Sequence, residues 1–105
     1  MDSGSRKRRL RDAGFDTTTV QEFLGLSDEE TAYVEMKLAL ARSLKRHRTR
    51  NLKMSQQGLA ELIGTSQSRV AKMESGDASV TLDLLIRSML STGLSRAEIA
   101  RALRR

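Results

Sequence analysis

The segment Ser66–Gly76 carries Gln67, Ser68, Arg69, Lys72 and Ser75, and its single acid is Glu74. Wound as an α-helix, it puts Val70 and Met73 on one side and Gln67, Ser68, Ala71, Lys72 and Ser75 on the other. The outer side is polar, small at its centre and free of carboxylates, while Glu74 turns partly inward at the helix end. These side chains suit the major groove of duplex DNA. A glutamine amide meets adenine bidentately, lysine donates to guanine O6 and N7, and serine bonds to either. A carboxylate on that face would be repelled by phosphate. The same face is ordinary solvated surface in most helical proteins, so its meaning depends on the elements that hold it.

No other constellation points to chemistry. His47 is the single histidine and stands among Lys45, Arg46 and Arg48, where a general base or a metal ligand would find no partner; it reads as a surface or phosphate-contacting residue. There are no cysteines, which rules out disulfides, thiol catalysis and thiolate metal sites. No phosphate-binding loop, carboxylate pair or nucleophile–base arrangement is present. The sequence therefore argues against an enzyme and names no catalytic residue, no metal site and no cofactor.

The punctuation around the segment is helical throughout. Thr19-x-x-Glu22 before Phe23-Leu24-Gly25 reads as one capped turn. Ser27-x-x-Glu30 is a capping box, with Asp28, Glu29 and Glu30 facing the positive end of the helix dipole. The first long helix it opens should reach about Arg50, with Tyr33, Met36, Leu40 and Leu44 as its buried stripe. Ser55 caps a second helix with Leu59, Leu62 and Ile63 inward and Gly64 at its end. Ser66 caps the third, which stops at Gly76. Thr81 opens a fourth, striped by Leu82, Leu85, Ile86, Met89 and Leu90 and stopped by Gly93. Ser95-x-x-Glu98 opens the fifth, through Leu103. Met54–Leu59, Val80–Leu85 and Leu94–Ile99 have the spacing of hydrophobic staples. Met36, Met54, Met73 and Met89 serve as core filler. With Gly64-Thr65 as the joint, the second and third helices must cross steeply.

The totals agree with a small all-α protein. A chain of 105 residues supports a few packed helices in one domain. It has no proline, and 38% of its residues are hydrophobic, without a run of about 18 that could span a bilayer. Residues 1–20 lack the apolar segment of a secretory signal, so the expected setting is cytoplasmic and nucleoid-associated. The formal charge is +6, from 19 Lys and Arg against 13 Asp and Glu, which favours a polyanionic partner. Cations concentrate in two places: Arg6, Lys7, Arg8, Arg9 and Arg11 in an N-terminal arm, and Arg42–Lys53 at the end of the first long helix.

Residues 54–76, Met-Ser-Gln-Gln-Gly-Leu-Ala-Glu-Leu-Ile-Gly-Thr-Ser-Gln-Ser-Arg-Val-Ala-Lys-Met-Glu-Ser-Gly, resemble the Xre/Cro family of lambdoid phage repressors. Ser-Gln, Leu-Ala, Gly, Ser-Gln and Glu-x-Gly all fall at the family's spacing, and the likeness runs from Leu44 through the fourth helix. It implies a compact five-helix, lambda-repressor-like helix-turn-helix fold with a basic N-terminal arm and an extended first helix. Carried over, it implies that Gln56 grips a phosphate, that Gln67, Ser68 and Lys72 read base edges, and that Ser66 and Arg69 hold the backbone. Arg48, Arg50 and Lys53 join the expected phosphate contacts. Two positions depart from the pattern. Gly58 replaces a helix former, at a cost of about 1 kcal/mol relative to Ala. Thr49 stands where many relatives carry an arginine that pairs with the glutamate matching Glu74, leaving Arg48 or Arg50 to take its place.

The longer string Glu-Phe-Leu-Gly-Leu-Ser-x-Glu-Glu, with the long helix after it, is similar to HigA-type antitoxins, which neutralise a RelE/HigB-like ribonuclease and repress their own operon. The expected organisation is a flexible basic extension over 1–26 and a DNA-binding domain over 27–105. The expected partners are an inverted-repeat operator of duplex DNA, a second copy of the chain through Leu84, Ile99 and Leu103, and a RelE/HigB-like toxin. A stand-alone repressor and an interaction module that has lost DNA binding are the alternatives.

Overall fold

The computed structural model describes residues 17–104, so the basic arm Arg6–Arg11 lies outside the described residues. Among the described residues six α-helices follow one another: α1 Thr17–Leu24, α2 Asp28–Arg46, α3 Gln56–Ile63, α4 Gln67–Ser75, α5 Leu82–Ser91 and α6 Arg96–Leu103. Between α2 and α3 the residues His47–Leu52 are π-helical. No strand occurs among the described residues, and none of their helices is long and apolar enough to cross a membrane. The chain divides into two compact units, and the boundary falls between Tyr33 and Val34, inside α2.

In the first unit α1 begins at Thr17, so the expected single turn is a longer helix. It stops at Gly25, whose φ of 66° lies in the left-handed region, and the Leu26 amide bonds back to the Gln21 carbonyl at 3.1 Å. The Ser27 capping box then forms as expected: Glu30 N–H donates to Ser27 Oγ at 3.2 Å, and Ser27 N–H donates to Glu30 Oε1 at 3.4 Å. Gln21 donates to Asp28 Oδ1 at 2.9 Å, tying the end of α1 to the start of α2. Phe23, Leu24 and Tyr33 remain exposed, Phe23 at 86% of its surface.

The second unit is built on a core of Leu40, Leu44, Leu59, Val70, Met73, Leu85 and Met89, all fully buried, with Ala60, Val80, Leu94 and Ile99 completing it. Each helix from α3 onward starts on a hydroxyl that accepts an amide N–H: Ser55 from Gly58, Ser66 from Arg69, Thr81 from Leu84 and Ser95 from Glu98. The α3 and α4 helices end on Gly64 and Gly76 with φ of 76° and 68°. At Gly76 a second constraint applies, because a Cβ built there would stand 2.6 Å from Leu38 Cδ2. The tip of the Leu38 side chain would have to move to admit it, on a backbone whose left-handed φ already favours glycine.

Several stripe positions depart from expectation. Tyr33 and Met36 are exposed while Leu40 and Leu44 are buried; only the later half of the α2 stripe reaches the core, so Met36 is not filler. Leu62 is 53% exposed, because α3 presents Leu59, Ala60 and Ile63 to its neighbours and leaves Leu62 on the flank. Leu90 is exposed for the same reason at the edge of α5. Leu84, expected in a seam between copies, is half-buried and packs against the core. Ile99, expected in a seam between copies, is 8% exposed and belongs to the core of its own unit. Leu103 is likewise half-buried against that core. The staple spacing Leu94–Ile99 explains this, since it turns Ile99 inward from the first turn of α6.

Candidate nucleic-acid interface

The α3 and α4 helices are joined by Gly64-Thr65-Ser66 and pack against each other. The Ser66 hydroxyl sits 3.2 Å from both the Arg69 amide and the Ser68 hydroxyl, so it caps α4 and orders the first polar group after it. Gln67, Ser68, Arg69, Lys72 and Ser75 are all exposed, and Ala71 is half-buried between them. Val70, Met73 and Glu74 are the buried residues of α4. The outer face therefore has the composition expected of it, polar and without a carboxylate. Asp77 lies just past the helix and accepts from Ser79 N–H at 2.9 Å and from the Ser79 hydroxyl. Those bonds, with the nearby Lys72 and Lys37 charges, hold its carboxyl below the ordinary range.

Behind this face lies a polar chain. Arg48 Nε and Nη2 donate to Glu74 Oε2 and Oε1 at 2.6 and 3.0 Å, and Arg48 Nη1 donates to the Met54 carbonyl at 2.9 Å. Gln56 Nε2 donates to Glu74 Oε1 at 3.1 Å, and Gln67 Nε2 donates to Gln56 Oε1 at 2.7 Å. The side chains of Arg48 and Glu74 are only 11% and 3% exposed. Hydrogen bonding to Glu74 raises the arginine's pKa above its ordinary value, outweighing the loss of hydration. Of the two arginines left open to pair with Glu74, Arg48 is the partner. This corrects the expectation that Arg48 contacts phosphate, because its guanidinium is spent inside the protein.

Arg48 lies at the start of the π-helical segment His47–Leu52. It follows buried Leu44 by four residues, as Leu44 follows Leu40, so it continues the inward stripe of α2. Arg48 is turned inward, while Thr49, Arg50, Asn51 and Lys53 stay exposed. The segment closes on Lys53, a non-glycine residue in the left-handed region at φ 51°, whose N–H bonds to the Arg48 carbonyl. The sequence reading missed this element, and no glycine or proline signals it. Arg50 and Lys53 remain exposed cations beside the start of α3, whereas Gln56 is half-buried.

His47 is not a free surface residue. Its Nε2 lies 3.0 Å from the Thr92 carbonyl and its Nδ1 lies 2.9 Å from Asn51 Nδ2. The carbonyl can only accept, so Nε2 carries the proton, and Nδ1 accepts from the asparagine amide. The imidazole fastens the π-helical segment to the end of α5. Among the described residues no group of three or more His, Asp or Glu side chains could hold a metal ion.

Comparison with known proteins bears on this geometry. No curated protein and no solved structure matches the chain. A helix-turn-helix family model matches residues 44–87, from the last buried leucine of α2 to Arg87 in α5. That span holds the capped α3–α4 pair, its glycine joint and the polar chain behind it. Over that span, which is less than half of the chain, the sequence is similar to a helix-turn-helix family.

Proposed function

We propose that this chain is a sequence-specific duplex DNA-binding repressor that acts as a two-fold dimer on an inverted repeat. The observation that carries the reading is the acid-free outer face of α4, with Gln67 already hydrogen-bonded to Gln56 at the start of α3. In this role Gln67, Ser68 and Lys72 read base edges, while Gln56, Ser66, Arg69, Arg50 and Lys53 hold phosphates. One module of this size covers too little DNA for tight binding, so two copies on half-sites roughly 34–36 Å apart are expected. Leu84 and Leu103, half-buried in the protomer, and exposed Leu90 are the apolar groups near α5 and α6 that a second copy would cover. The test is selection of bound fragments from a random duplex pool. An enriched inverted repeat supports the reading, and failure to enrich any sequence overturns it.

A second part of the proposal concerns the first unit. Its described residues carry Glu22, Asp28, Glu29 and Glu30 and no Lys or Arg, and they leave Phe23, Leu24 and Tyr33 exposed. Acidic and apolar surface of this kind suits a basic protein, which supports the antitoxin reading with a RelE/HigB-like ribonuclease as partner. Co-expression with the gene that neighbours it tests this. Rescue of growth from a toxic neighbour, lost on Phe23→Asp, is the expected result.

A further inference from the structure

The polar chain behind α4 has a direction, and that direction starts at a charge. An ionised carboxylate only accepts hydrogen bonds, so the Glu74 Oε1 that Gln56 approaches at 3.1 Å fixes the Gln56 amide with its nitrogen inward. Turned the other way, Gln56 would set a carbonyl against a carboxylate. With the nitrogen inward, the Gln56 carbonyl must face outward, and it meets Gln67 Nε2 at 2.7 Å. That carbonyl in turn only accepts, so Gln67 is held with its nitrogen toward Gln56. The Gln67 amide is left with its own carbonyl and its second N–H unspent. A donor beside an acceptor in fixed order matches the N6 amino group and N7 of adenine.

Arg48 sits at the root of the chain. Its two bonds to Glu74, with a third from the guanidinium to the Met54 carbonyl, hold the carboxylate in place. We infer that Arg48 and Glu74, which are buried and meet no base, determine base preference under Gln67 by setting the direction of two successive amides. They are positioning residues, and the inference rests on the DNA-reading role proposed above.

The consequence separates this role from a merely structural one. Loss of packing weakens binding to all duplexes alike, whereas loss of amide direction acts at one base pair. Glu74→Gln keeps the shape but offers both a donor and an acceptor to Gln56, so either amide orientation becomes satisfiable. Since that change strands the Arg48 charge, the double variant Arg48→Met with Glu74→Gln provides the same test without an unpaired cation.

The experiment uses the full chain, the duplex recovered from the random pool, and three further duplexes altered at the base pair under Gln67. The expected result is that discrimination at that pair falls about fivefold or more, while discrimination elsewhere and the salt dependence hold. In a Gln56→Ala background the Glu74→Gln change should have no further effect on that preference, because the chain is already cut. Side-chain amide resonances of the DNA-free protein give a second readout: Glu74→Gln should shift the Gln67 amide, with which it has no contact, and Gln56→Ala should abolish the shift. A folded variant with unchanged preference and an unmoved Gln67 amide overturns the inference. If the unaltered chain enriches no sequence, the DNA-reading proposal fails, and the amide resonances still decide whether the direction is transmitted.

Discussion

At the scale of residues, the Arg48–Glu74 pair has the largest energetic consequence. Two charges are held out of water, and their mutual attraction, with the bonds to Met54 and Gln56, compensates for the lost hydration. Removing one partner leaves the other buried and uncompensated, so Arg48→Ala should destabilise the fold by about 3–5 kcal/mol. Replacing both with apolar residues of similar volume should cost far less, because no stranded charge remains. Urea unfolding of the single and double variants checks this ordering. Gly58 behaves differently. A Cβ there would lie 3.3 Å from Met54 Cβ, so Met54 must give by a few tenths of an ångström, while Ser55 Oγ at 3.5 Å is in ordinary contact. Gly58→Ala should therefore stabilise by clearly less than the roughly 1 kcal/mol that helix propensity alone offers. A full gain in the same unfolding assay would show that Met54 yields without cost.

At the scale of elements, the helix starts are where stability is most readily altered. Ser55→Ala removes the acceptor for the Gly58 amide and should cost about 1 kcal/mol, read as a lowered melting temperature. Asp77 and Glu98 give an acid dependence of known sign. Serine hydrogen bonds, from Ser79 and Ser95 respectively, hold both folded carboxyls below their ordinary range. Their contribution is present above the unfolded carboxylate pKa and is lost as pH falls through the depressed folded values. Thermal melts from pH 6 down to pH 2 should thus show a shallower acid limb for Asp77→Asn combined with Glu98→Gln. The starts from α2 onward were legible in the sequence, because a Ser or Thr cap is a local pattern whose physics does not depend on the rest of the fold, whereas the start of α1 at Thr17 was not. The ends of stripes were not. Whether Leu62, Leu90 or Met36 is covered depends on how far neighbouring helices extend, and periodicity holds no such information. The π-helical segment was equally invisible. Nothing in His-Arg-Thr-Arg-Asn-Leu marks a widened turn, although the spacing Leu40, Leu44, Arg48 already points that arginine inward. The reading face was legible because its polarity and its missing carboxylate are properties of one helix. Its fastening to Arg48 was not, since that chain joins residues from three separate elements.

At the scale of the whole molecule, charge is divided along the chain, and the division predicts how binding responds to salt. Cations in the helix-turn-helix region and those of the Arg6–Arg11 run are two separate sources of phosphate contact. Each phosphate neutralised releases condensed counterion, so each lost contact changes the log–log salt slope by about 0.9. Replacing exposed Arg50 and Lys53 with alanine should then flatten the slope by about two units, with the preferred sequence unchanged because neither reads a base. Deleting residues 1–12 removes Arg6, Lys7, Arg8, Arg9 and Arg11 together with Asp2 and Asp12. If those cations lie on phosphate, the slope should flatten by about two to four units, again without altering the preferred sequence. The two changes act on different contacts, so their effects on the slope should add. Salt titrations of the parent, the two variants and their combination on a single operator provide the measurement. An unchanged slope after the deletion, alongside a flattened one after the Arg50 and Lys53 replacements, would confine DNA contact to the helix-turn-helix module and leave the N-terminal run to a protein partner.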